Sequence, residues 1–182
     1  MIIKLFLIIF LGITGYIALF SQDTLMNLSQ KEKVKNALQD INKAPDFTLK
    51  AINDSSYTLS KMEGKVVLIN FWATWCGPCK ASFPAMKKAM EKYTDVKFFF
   101  VNSRETAENK LEAVTDFMTK NSYPFHVLMD DEDTAFESYN IAFLPTKVIL
   151  DGNQNIRYRS IGYLGEAELL DELDALLSML NS

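Results

Sequence analysis

Two apolar runs, Val66–Phe71 (VVLINF) and Val96–Val101 (VKFFFV), constrain this chain more than any other feature. Runs this apolar, without the alternation of a half-exposed strand, mark strands covered on both faces. Between them Cys76–Tyr93 reads as a helix. Glu108–Asn121 follows as a second, carrying Leu111, Val114 and Phe117 on one face. Phe125–Met129 and Thr146–Leu150 are expected as strands, separated by a short helical stretch at Asp131–Tyr139. Asp151-Gly152-Asn153 is a hairpin turn signal leading into a strand at Ile156–Ile161. A closing helix, Glu166–Leu180, turns Leu169, Leu170, Leu173, Leu176 and Leu177 inward. Upstream, Asp46–Ala51 and Tyr57–Leu59 read as short strands around the turn Asn53-Asp54-Ser55-Ser56. The order β-α-β-α-β, then an antiparallel pair, then a helix, implies an α/β fold. Its centre is a mixed β-sheet flanked by helices on both faces.

The front of the chain is of another kind. Met1–Phe20 is apolar apart from Lys4, and its core, Leu5–Phe20, would span about 24 Å as a helix. A positive start followed by such a stretch is expected to be a signal peptide or a membrane anchor over residues 1–21. Ser21 is small enough for a cleavage site, although Leu19 is large for the position two residues before it. Either outcome places the rest of the chain outside the cytoplasm, where disulfide chemistry is permitted. Residues 22–44 read as a polar connecting arm, weakly helical at Val34, Leu38 and Ile41 or simply a spacer, ended by Ala44-Pro45. Residues 45–182 form the folded domain.

Composition narrows the chemistry. The net charge of the 182 residues is −4, and without Lys4 it is −5, from 18 basic and 23 acidic residues. That balance lacks the basic footprint of a nucleic-acid binder. The folded part is long enough to build a core without covalent staples, so its two cysteines, Cys76 and Cys79, are not needed for stability. They sit in FWATWCGPCK, where a buried strand gives way to a helix. Cys76 therefore opens the helix, where unpaired backbone N–H groups and the helix dipole favour a thiolate. Cys79, less than one turn on, can reach Cys76 and expel a bound partner. Pro78 fits the first helical turn, Gly77 leaves the approach open, and Trp75 gives an apolar shoulder.

Other uses of the pair fit poorly. A structural bridge closing so short a loop is worth only about 2 kcal/mol. A zinc site needs ligands that two cysteines and the single His126 cannot supply. A haem attachment motif needs His where Lys80 stands, and a peroxidase nucleophile needs Pro at Ile69 and Thr or Ser at Ala73. Redox exchange of a dithiol is left, with no organic cofactor or metal implied.

WCGPCK resembles the active site of the thioredoxin superfamily. Ala44-Pro45-Asp46-Phe47-Thr48-Leu49 and Gly64–Trp72 (GKVVLINFW) resemble its TlpA/ResA-like branch of exported, often membrane-anchored thiol–disulfide oxidoreductases. The likeness runs from Pro45 to the C-terminus and implies a thioredoxin-like fold. It also implies that Leu144-Pro145-Thr146 is a cis-proline loop beside the cysteines, offering backbone hydrogen bonds to an extended substrate. On its own an X–Pro bond is trans in all but about 5–6% of cases. The resemblance implies protein disulfides as substrates, apocytochrome c cysteines or other extracytoplasmic disulfides among them. Electrons would come from a membrane-embedded thiol donor. The thioredoxin-like Gly-Pro dipeptide favours the reducing direction. The alternatives are a disulfide oxidase or isomerase, and a non-catalytic binding module that kept the fold.

Two residues depart from the pattern. Asn70 stands where thioredoxins carry a buried Asp, and Ser82 where the branch often has Glu three residues after the second cysteine. The usual carboxylates for deprotonating Cys79 are both missing, so water, the Ser82 hydroxyl or a more distant acid has to serve. Elsewhere His126, Phe71, Trp72, Met86 and Met90 read as packing. Lys31–Lys35 and Lys87-Lys88 read as solvated faces, and Arg104-Glu105 as an edge of the active-site face.

Overall fold

The structure, a computed structural model, describes residues 42–180. The expected leader, and the arm up to residue 41, lie outside the described residues. Eight strands form one sheet: β1 (Asn42–Lys43), β2 (Thr48–Ala51), β3 (Ser56–Thr58), β4 (Val67–Trp72), β5 (Lys97–Asn102), β6 (Val127–Met129), β7 (Thr146–Leu150) and β8 (Asn155–Ile161). Among the described residues four helices accompany them: α1 (Gly77–Lys92), α2 (Lys110–Lys120), α3 (Thr134–Ser138) and α4 (Glu166–Leu180), with a 3-10 turn at Leu59–Met62. The sheet order is β1-β8-β7-β4-β5-β6-β2-β3. The β4-β5-β6 neighbours run parallel and every other pairing is antiparallel, which is the mixed sheet the sequence implies.

The two apolar runs are the two central strands. Every residue of β4 is buried, and alternate side chains feed two cores. Val67, Ile69 and Phe71 join Phe99, Val101, Leu128 and Val148 on one face, closed by Phe47, Leu59, and Phe136 and Tyr139 from and just after α3. On the other face Trp72 packs edge-on to Phe83 of α1 and against Phe117 of α2. Helix α4 joins α1 through the Lys92–Asp174 pair at 2.7 Å and an ion pair between Lys88 and Glu166. It buries Leu169, Leu173, Leu176 and Leu177, while Leu170 is half-buried. Helices thus cover both faces.

The differences from the sequence reading have local causes. Asn42 and Lys43, read as the end of the arm, pair with β8 as Asn42↔Ile156 and Lys43↔Asn155. Ala44 follows them into the core and donates its N–H to Gln154 O at 2.9 Å. A two-residue strand has no period to read. Strand β2 starts late because Asp46 Oδ1 accepts the N–H groups of Phe47 and Ser60, both at 2.9 Å, bending the chain onto the 3-10 turn that Leu59 opens. Helix α3 is shorter than expected because buried Asp130 accepts the N–H groups of Ala135 (3.1 Å) and Phe136 (2.9 Å) and so fixes its start. In α2 the stripe has the right phase, with Val114 and Met118 buried. Its first member, Leu111, lies in the opening turn capped by Asn109 and remains 47% exposed, against the expectation that it faces inward.

Candidate active site

Strand β4 ends at Trp72, and a short turn, 73–75, leads to Cys76, the N-cap of α1. The turn is closed by Cys76 N–H donating to Ala73 O at 3.1 Å. Cys76 is bonded to Cys79 across a Cα–Cα distance of 5.3 Å, and Cys76 Sγ accepts the Cys79 N–H at 3.2 Å. A sulfur at this position receives a free N–H of the first helical turn, the arrangement that stabilises a thiolate once the bond is reduced. The two sulfurs are unequal. Cys76 retains 4% exposure and Cys79 none, so an incoming group meets Cys76 first. Pro78 occupies the first turn, where its missing N–H leaves no gap in the ladder. A Cβ on Gly77 would meet nothing within 4 Å, so the space there is open.

Leu144-Pro145 is cis. The row Ile161↔Thr146↔Phe71 brings the start of β7, the end of β8 and the end of β4 to the same margin of the sheet. Pro145 therefore lies at the margin from which the cysteine turn departs. Pro145 O accepts the Gly162 N–H at 2.8 Å, and Thr146 Oγ1 donates to Phe143 O at 2.7 Å. The backbone groups of Leu144 have no hydrogen-bond partner among the described residues. Of the large hydrophobic side chains left exposed, Trp75 (53%), Phe143 (66%), Ile161 (58%) and Leu164 (89%) all sit on the segments that meet at this margin. They form an apolar rim suited to a polypeptide.

Sequence reasoning assigned little to the loop after β5, and the structure gives it a definite task. Ser103 N–H donates to Trp72 O at 3.0 Å, and Trp75 Nε1 donates to Arg104 O at 2.8 Å. Glu105, 7% exposed, accepts the Thr74 N–H and the Thr74 hydroxyl, both at 2.9 Å. Burial alone would raise its carboxyl, but the donors from Thr74, Asn102 and Thr106 outweigh it and hold it below the usual carboxylate range. The one sequence signal was an acidic residue just past the end of a buried strand.

The departures noted in the sequence are placed as follows. Asn70 is fully buried in β4, with neither amide atom partnered among the described residues. Ser82 is 2% exposed and donates its hydroxyl to Cys79 O at 2.7 Å. His126 lies just before β6, its carbonyl accepting the Phe100 N–H at 2.9 Å in the middle of β5, with its ring against Tyr57. Burial and the Lys97 charge hold it below the usual histidine range. Among the described residues, no group of three or more His, Cys, Asp or Glu side chains gathers as a metal site.

The redoxin family profile matches residues 39–177. Thioredoxin-like protein YneN of Bacillus subtilis is 32% identical over 169 residues, covering 92% of this chain and 93% of that one. Thiol-disulfide oxidoreductase ResA of the same organism is 30% identical over 176 residues, covering 96% and 89%. A crystal structure from Chlorobium tepidum, assigned as the thiol:disulfide interchange protein DsbE, superposes with a TM-score of 0.67 at 29% identity, over 77% of this chain and 99% of that one. With a strand-to-helix CxxC pair, a cis-proline at the same margin and these relatives, the chain belongs to the redoxin family and is a thiol–disulfide oxidoreductase of thioredoxin fold.

Proposed function

We propose that this chain is an exported reductant of protein disulfides, with Cys76 as nucleophile and Cys79 as resolving cysteine. The Cys76 thiolate attacks one sulfur of a substrate disulfide, forming a mixed disulfide and releasing the other substrate sulfur as a thiolate that takes up a proton. Cys79, deprotonated, then attacks Cys76 Sγ. The second substrate thiol leaves, and the two electrons of the Cys76–Cys79 dithiol now reside on the substrate. A membrane-embedded thiol donor restores the dithiol by the reverse exchange. The observation that carries this reading is the inequality of the sulfurs, an edge-exposed Cys76 at the helix N-cap over a wholly buried Cys79.

Export rests on residues 1–20, which act as signal peptide or anchor. Extracytoplasmic protein disulfides are the substrate class, apocytochrome c cysteines among them, and the apolar rim with the unpaired Leu144 backbone receives the substrate chain. Trp75, Gly77 and Pro78 shape the approach to Cys76, and Leu144-Pro145 aligns the substrate beside it.

The deciding measurement is the reduction potential of the pair, by equilibration against dithiothreitol. A value near −250 mV or lower is expected for a reductant. A value of about −120 to −180 mV would make the protein an oxidase or isomerase instead. Failure to form the intramolecular disulfide at any poise would leave only a binding module.

A further inference from the structure

We propose that Glu105 is a positioning residue for Cys76: it clamps the turn ahead of the cysteine and sets beside it an uncompensated negative charge that opposes the thiolate, keeping the pair reducing. The inference rests on the redox reading above and deepens it.

The clamp is dense. Glu105 Oε2 accepts from Thr74 N at 2.9 Å and Asn102 Nδ2 at 3.2 Å. Its Oε1 accepts from Thr74 Oγ1 at 2.9 Å, Thr106 N at 3.0 Å and Ala107 N at 3.4 Å. Every partner is a donor, a set that only an ionised carboxylate satisfies in full. None of them is a cation. The nearest guanidinium in sequence, Arg104, turns away to Asp133 Oδ2 at 3.4 Å and lies over the Phe136 ring at 4.8 Å. The charge is thus buried, hydrogen-bonded and unneutralised.

Its position makes the charge matter. Thr74 N–H meets the carboxylate at 2.9 Å and stands two residues, at most about 7 Å between Cα atoms, before Cys76, which puts the charge within roughly 14 Å of the sulfur. A charge at such range in a protein interior shifts the ionisation of its neighbour. The α1 N-terminus favours the thiolate, and Glu105 works against it. A dithiol whose thiolate is less stabilised is the stronger reductant. The other charged groups facing this turn do not cancel Glu105. Lys80 is exposed, with its ammonium 6.0 Å from the Phe117 ring centroid. Asp133 accepts the Arg104 N–H at 2.7 Å and Asp130 accepts the Ser103 hydroxyl at 2.9 Å, and both are anions that cannot neutralise it.

The test is the pH profile of Cys76 alkylation by iodoacetamide in the reduced full chain, with the dithiothreitol equilibrium constant and the melting temperature measured alongside. Glu105→Gln, which removes the charge, is expected to lower the alkylation midpoint by about one pH unit. It should also shift the equilibrium about tenfold toward reduced protein. Glu105→Asp and Thr74→Val, which loosen the clamp but keep the charge, are expected to lower the melting temperature and leave the midpoint unmoved. Thr106→Lys, at an exposed position, adds a cation beside an intact carboxylate and should move the midpoint in the same direction as Glu105→Gln, by about half as much. It serves if Glu105→Gln does not fold. An unchanged midpoint in both charge variants, or an equal shift in Glu105→Asp, would overturn the proposal. Insulin reduction by the wild type tests the redox reading separately, because the thiol midpoint is measurable whether or not the protein turns over.

Discussion

Ser82 donates its hydroxyl to the carbonyl oxygen of Cys79 at 2.7 Å, so the hydroxyl three residues after the resolving cysteine is committed to the helix backbone. Asn70 offers an amide that cannot take a proton at neutral pH, and Cys79 is wholly buried, which disfavours its ionisation. Resolution of a mixed disulfide by Cys79 is therefore expected to be slow near neutral pH and to quicken as pH rises. Ser82→Ala should leave the rate within about twofold, since the hydroxyl is not the base. Stopped-flow kinetics that are fast and flat between pH 6 and 8 would contradict this.

The unequal exposure of the two sulfurs gives a second expectation. Cys79→Ser should accumulate mixed disulfides with protein substrates, visible as reductant-sensitive adducts on non-reducing gels, while Cys76→Ser should form almost none. Equal trapping by the two variants would mean that Cys79 is reachable and that the assigned order of attack is wrong.

Glu105 links the active-site turn to acid stability. Its carboxyl is held below the ordinary value of 4.5 in the folded chain, so the unfolded chain binds its proton at higher pH. The stabilisation is complete above that ordinary value and disappears as pH falls through the lower, folded one. Glu105→Gln is expected to lose about 2 kcal/mol at pH 7. Its urea-unfolding free energy should converge on the wild type's as pH falls below 4. A gap that stays constant down to pH 3 would show that the effect is steric.

What the sequence disclosed follows what is periodic or chemically singular. VVLINF and the closing leucine helix declare themselves because burial on both faces, or on one stripe, imposes a pattern on residue type. WCGPCK declares itself because few other uses accept two cysteines at that spacing. Strand β1 and the Glu105 clamp were hidden for the opposite reason. Two residues carry no period, and Glu105 meets Thr74 only after β4 and β5 pair in parallel and carry their following loops to the same margin. Leu111 misled because helical phase does not say where a helix overhangs its core.

Lys147 drew no reading from the sequence beyond its place in the strand expected at Thr146–Leu150, and it carries the last expectation. It is 3% exposed in β7, with Nζ donating to Gly162 O at 3.2 Å. Burial holds its amine below the usual 10.5, although the Glu172 charge pulls the other way. The unfolded chain therefore binds more protons between the folded value and 10.5, and stability rises with pH across that window. Lys147→Met exchanges a buried ammonium for an apolar chain of similar length. It is expected to stabilise the protein by about 1 kcal/mol at pH 7, with the advantage shrinking toward pH 10 as the wild-type amine sheds its proton. Urea melts at both pH values read this directly. A variant less stable at both, by the same amount, would mean that the bond to Gly162 outweighs burial. Because Gly162 in turn holds Pro145 O at 2.8 Å, the lysine would then be a brace of the cis-proline loop.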